Sequence, residues 1–166
     1  MSELNRILLA HTAYSAWATS RLLDACTCLS SHQLENALGA SHSSILGTLR
    51  HIYDGERVWL ERLNADGEWR LPQGPAPEHS FAFLAETWPK LWEGYRRYLE
   101  QASEHDLCHE FRTLLPHDES LQGPRWQIVL HVVNHSSLHR GQIISMLRAH
   151  GVQPPNADLM SYYLTL

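Results

Sequence analysis

The sequence predicts an all-α protein, a bundle of four long helices. Apolar residues return at steps of three and four in four separate stretches, each stretch is bounded by capping or breaking residues, and only one short segment alternates as a strand would. The 166 residues are 43% hydrophobic, enough to bury one sizeable core, and residues 1–166 are read as a single domain.

Helix one is predicted from Glu3 to Cys28, where Leu4, Ile7, Leu8, Tyr14, Trp17, Ala18, Leu22 and Ala25 form one broad apolar face. His11 and Arg21 fall near that face, and His11 is a pocket-lining candidate. Ser30 or Ser31 caps a short helical turn that Gly39 ends, and Ser41 opens the next helix. Helix two, Ser43 to Leu63, carries Ile45, Leu49, Ile52, Glu56, Trp59 and Leu63, a bundle stripe interrupted by one carboxylate. Glu56 therefore needs a buried partner.

Asn64 to His79 is a loop by its glycines and prolines, long enough to cover a site. Ser80 caps a third helix through Leu99, in which Pro89 predicts a kink or local break near Ala85. Alternation at Leu107, His109, Phe111 and Thr113, with Pro116, Asp118 and Gly123-Pro124, predicts a small hairpin before helix four. Helix four runs from Arg125 to His150 with Ile128, Val132, Leu138, Ile143, Met146 and Leu147 on its stripe; Gly151 caps it. In the tail, Leu159, Tyr162 and Tyr163 are placed to pack back on the bundle.

The chemistry lies in helix four. Of 12 histidines, His135 and His139 are four apart, which puts their imidazoles roughly 6 Å from each other on one helical face. Two histidines so spaced can grip one divalent metal, and a catalytic site takes three protein ligands and leaves a position for water. His51, beside the helix-two stripe, is the choice for the third. His131 is excluded, because eight residues separate it from His139, about 12 Å along the axis. His32, His42, His79, His105, His109, His117 and His150 lie in loops or at helix ends and are assigned no function.

Other classes are excluded by composition. A formal charge of −5 without a basic cluster argues against nucleic-acid binding. No stretch reaches the length of a membrane span, and the amino terminus lacks the pattern of a signal peptide. Three cysteines, with Cys26 and Cys28 pointing apart on their helix, suit reduced thiols and a cytoplasmic protein.

Several segments resemble the DinB-like (DinB/YfiT) family of metalloenzymes. They are Tyr14 to Leu23 in helix one, Ser44 to Ile52 with Trp59 and Arg62-Leu63 in helix two, Trp126 to Gln142 in helix four, and Gly151 to Asp158 in the tail. The resemblance runs end to end in the right order and is loose between Asn64 and Gly123. It implies an up-down-down-up bundle, often a homodimer, with a divalent metal on His51, His135 and His139, zinc or nickel ahead of manganese or iron. It also implies a small-molecule substrate and, by analogy with related transferases and isomerases, a low-molecular-weight thiol such as bacillithiol or mycothiol. The sequence departs from the family pattern at Ser15 and Thr19, where asparagines are common, and at Glu56, where an aspartate is usual.

Three neutral imidazoles leave the charge of a dipositive ion unneutralised, which favours a bound hydroxide or thiolate. The sequence therefore predicts a metal-dependent thiol S-transferase or hydrolase, with Glu56, Arg140 and Gln142 as residues supporting the ligands. The alternative is a non-catalytic bundle whose site is structural or vacant.

Overall fold

The computed structural model describes residues 1–39, 42–65, 78–114 and 120–166. Four long helices, α1 (Glu3–Cys26), α3 (Ile45–Asn64), α4 (Phe81–Gln101) and α6 (Arg125–Ala149), are joined by short α2 (Ser31–Glu35), α5 (Glu104–Cys108) and α7 (Leu159–Tyr163). Strands β1 (Glu110–Leu114) and β2 (Ser120–Pro124) pair antiparallel, with Phe111 opposite Gly123. The hairpin is present, but Leu107 belongs to α5 and His109 to its C-cap, so the alternation begins only at Glu110. Ser103, whose side chain accepts from the Asp106 amide in a capping box, starts that extra turn. Pro116 and Asp118 lie outside the described residues.

Helix starts follow capping chemistry. Ser2, Ser30, Ser44 and Ser80 each accept an amide from the first turn of α1, α2, α3 and α4. The cap of α3 is thus Ser44; Ser41 lies outside the described residues, as does most of the loop expected to cover a site. Gly151 ends α6 at φ 74, a backbone that disfavours side chains with a Cβ. The break expected at Pro89 does not occur, since α4 is helical throughout. Ala85 and Pro89 are both exposed, so the carbonyl that loses its donor is on the solvent side. Burial of Leu84, Trp88, Tyr95 and Leu99 on the opposite face, about 2 kcal/mol for each apolar side chain, outweighs the roughly 3 kcal/mol that an interior proline costs.

The long helices form a ring in which α1 packs on α4 and α6, and α3 packs on the same two. Asn5, at the start of α1, donates to the carbonyls of Leu99 (2.7 Å) and Ala102 (2.8 Å) at the end of α4, so those helices are antiparallel. Tyr53 meets Trp88, and Leu60 lies over Gly94, so α3 and α4 run together. His51 meets His139 while Trp59 meets His131, so α3 and α6 are antiparallel. The order is up-down-down-up.

Two apolar cores fill the ends of the bundle. One gathers Leu22, Ile45, Leu49, Ile52, Trp88, Ile143 and Leu147; the other gathers Leu8, Leu63, Leu99, Leu107, Ile128 and Val129. Between them lies a polar belt comprising Ser15 and Thr19 of α1, Glu56 of α3, and Ser136, His139 and Arg140 of α6, all buried. Leu138 departs from the expected stripe: it is 65% exposed on the outer face of α6. In the tail, Leu159 and Tyr162 pack on a cluster of Tyr14, Ala18 and Val133, while Tyr163 is 41% exposed. No helix among the described residues is long and apolar enough to cross a membrane.

Candidate metal centre

His51 on α3 faces His135 and His139 on α6. Its Nε2 lies 2.9 Å from Nε2 of His135 and 3.1 Å from Nε2 of His139. The antiparallel crossing sets this geometry, because successive turns of α6 carry His135 and His139 past one point on α3. His131, one turn further back, is exposed and stands edge-on to Trp59 at 5.4 Å, with its ring 5.9 Å from that of His135. His11 bonds the Ile7 carbonyl of its own helix through Nδ1 and does not join the group.

The three rings are placed by neighbours that suit a ligand state. Gln142 Oε1 lies 3.0 Å from Nδ1 of His139. The tautomer in which Nδ1–H donates to this oxygen is the one that leaves the Nε2 lone pair facing His51. Burial and the neighbouring imidazoles lower the pKa of both His51 and His135 to about 4, which favours the neutral, ligand form at neutral pH. His51 Nε2 meets two other ring nitrogens, and between neutral rings it can form a hydrogen bond with only one of them, since it offers either one proton or one lone pair.

A fourth histidine joins them. His42, in the turn before α3, stacks on His51 with ring centroids 3.7 Å apart and planes at 18°, and lies edge-on to His139 at 5.1 Å. One donor atom from each of His42, His51 and His139 fits within a 4.8 Å group. Sequence reasoning missed His42 because it sits among serines and glycine with no helical period; its nine-residue separation from His51 carries no ligand signal.

The other expected supporting residues are placed elsewhere in the belt. Glu56 is buried, and its Oε2 accepts from the indoles of Trp88 (2.7 Å) and Trp92 (3.2 Å) while its Oε1 accepts from Ser136 (2.8 Å). Burial raises its pKa, and these donors together with the Arg140 charge pull it back. Arg140 turns to α1, donating to Ser15 Oγ at 2.8 Å and Thr19 Oγ1 at 3.2 Å, with a further bond to Ser137. Gln142 alone of the three directly supports a ligand in the described hydrogen bonds. A cavity of about 540 Å³ between α1 and α4 borders Glu56 and Trp92 and is lined by none of the four histidines.

The DinB family model matches residues 1–165. The chain belongs to the DinB family. A solved DinB-like protein from Bacillus cereus is similar in fold, with a TM-score of 0.66 and 21% identity over 87% of this chain and 91% of that one. No curated protein sequence matches the chain. The site of this DinB-family chain is a group of histidines that can hold a metal ion.

Proposed function

We propose that the chain is a metal-dependent enzyme that holds one divalent cation, zinc or nickel ahead of manganese or iron, through His51, His135 and His139, and carries out thiol S-transfer or hydrolysis on a small molecule. The observation that carries this reading is the convergence of three imidazole Nε2 atoms at 2.9 and 3.1 Å, with His139 oriented by Gln142. A tetrahedral site with metal–nitrogen distances of about 2.0–2.1 Å has edges of about 3.3–3.4 Å, so a bound ion would push His135 and His139 a few tenths of an ångström away from His51. An all-nitrogen set fits a borderline-soft ion and leaves its charge unneutralised.

Such an ion, when bound, lowers the pKa of a coordinated water or thiol and so supplies a nucleophile at neutral pH. The chain's own part is to keep the rings neutral through burial, to aim them through the α3–α6 crossing, and to fix the proton of His139 on Nδ1 through Gln142. Glu56 is held by three donors and supports the bundle. Cytoplasmic residence, a homodimeric state and a low-molecular-weight thiol as co-substrate belong to the same proposal.

His42 favours the alternative in one respect: a fourth nitrogen within reach can close the site, as structural sites are closed. Chelation separates the readings. Because apolar cores fill both ends of the bundle, the apo protein is expected to keep its helicity, with metal adding about 3 kcal/mol at a hundredfold excess over Kd. Thiol-transferase or hydrolase turnover should vanish with the metal and return on adding back zinc, nickel, manganese or iron. Loss of helicity on chelation would make the metal structural, and turnover by metal-free protein would end the metalloenzyme reading.

A further inference from the structure

We propose that His42 is a fourth, exchangeable nitrogen donor, able to coordinate the ion held by His51, His135 and His139 and to yield its place to an incoming thiol or water. The proposal rests on the metal-binding reading above. Its first support is position: among the described residues, His42, His51 and His139 form the group whose donor atoms lie within 4.8 Å of one another, while His135 stands outside that group and joins it through its 2.9 Å approach to His51.

The second support is that the backbone is built to bring His42 there. Ser43 adopts φ 64, an uncommon conformation for a residue other than glycine. The Ser44 amide donates to the His42 carbonyl at 2.8 Å, and the Leu38 amide donates to the Ser43 carbonyl at 2.8 Å. Ser44 meanwhile caps α3 through the Gly47 amide at 3.0 Å. Gly47 admits this arrangement: a Cβ there would lie 2.3 Å from the His42 carbonyl oxygen. Alanine in place of this helical glycine would gain roughly 1 kcal/mol of helix propensity, yet here it would displace the backbone that carries His42.

Exchangeability follows from how the ring is held. His51, His135 and His139 rise from long helices, whereas His42 rises from a turn and rests against the face of His51. Imidazole lone pairs lie in the ring plane, and with the planes at 18° the two stacked rings cannot both aim at one ion without a side-chain rotation. Coordination by His42 thus requires its ring to turn from the stacked position toward the metal. Coordination by a thiolate and coordination by His42 compete for the same place.

The test uses the full chain loaded with cobalt(II), comparing wild type with His42→Ala, Gly47→Ala and His51→Ala. Readouts are cobalt affinity against a chelator, the visible cobalt absorption, and the 2-mercaptoethanol concentration that half-converts that absorption. His42→Ala is expected to retain cobalt with affinity lowered about tenfold, to change the absorption, and to bind 2-mercaptoethanol several-fold more tightly, since a competing donor is gone. Gly47→Ala, which removes no donor, should shift all three readouts the same way. His51→Ala should lose cobalt. A His42→Ala protein with wild-type absorption and thiol midpoint would overturn the proposal, as would loss of cobalt as complete as in His51→Ala, which would make His42 a permanent ligand. Failure of the wild type to bind cobalt would instead sink the metal-binding reading and this inference together.

Discussion

Two polar centres share the middle of this bundle, and they are balanced in opposite ways. At Glu56, two indole N–H groups and one hydroxyl meet two carboxylate oxygens, so donors and acceptors match. At His51, one ring nitrogen faces two others, and neutral rings can satisfy only one of the two contacts. Both centres join α3 to α6, and Ser136 of one directly follows His135 of the other. A buried polar cluster that is complete in itself supports the fold, while one left with facing lone pairs is prepared for something that accepts them.

The largest expected effect breaks the complete centre. Glu56→Ala would leave the Trp88, Trp92 and Ser136 donors unpartnered and should lower unfolding stability by about 4 kcal/mol, while Glu56→Gln, which keeps an acceptor oxygen, should cost about 1 kcal/mol. Urea denaturation of metal-free protein measures both. Equal losses in the two variants would show that volume matters more than hydrogen bonding. Folded Glu56→Gln should bind metal as the wild type does.

The converse substitutions act on the incomplete centre. Alanine at His51, His135 or His139 should weaken metal affinity at least about a hundredfold, beyond the loss expected from removing an outer-shell partner. His131→Ala should leave it unchanged. Metal analysis after equilibrium dialysis reads this directly, and full retention by His135→Ala would remove it from the ligand set. Gln142→Ala should cost about tenfold in affinity, since it frees the His139 ring without deleting a ligand.

The smallest effect is on pH dependence. His51 and His135 titrate at about 4 when folded, against an ordinary 6.5, so between those values the unfolded chain binds more protons. Their contribution therefore makes metal-free stability rise with pH across that window and level off above it. Glu56, raised by burial, acts in the opposite sense from its ordinary 4.5 upward. Denaturation midpoints at several pH values in the presence of chelator should thus show a shallow slope in the wild type. His51→Ala should flatten the rise between about pH 4 and 6.5 by removing a cost at the acid end, and an unaltered slope would remove His51 from this linkage.

The sequence reveals these centres unequally. His135 and His139 are legible because one helix fixes their relation through a local period, and His51 because it lies beside a second helix's stripe. Glu56 is legible as needing a partner, since a carboxylate interrupts an apolar row. Its partners are not, because Trp88 and Trp92 have the spacing of ordinary core aromatics. His42 is the opposite case. The tertiary approach of a turn, set by Ser43 and admitted by Gly47, brings it to the site, and no periodicity records such an approach. Pro89 misleads for another reason: the helix-breaking tendency is local, but the packing that overrides it is spread over four buried side chains.

The adjacency of His135 and Ser136 has a mechanical consequence. Neighbouring residues of an α-helix project about 100° apart, so the azimuth of α6 is indexed by the Ser136–Glu56 bond on one side while His135 points to His51 on the other. A rotation of α6 that moved His135 and His139 off His51 would also stretch that bond. The bond acts as a detent: a contact that never touches the site helps to fix the angle of the ligand helix.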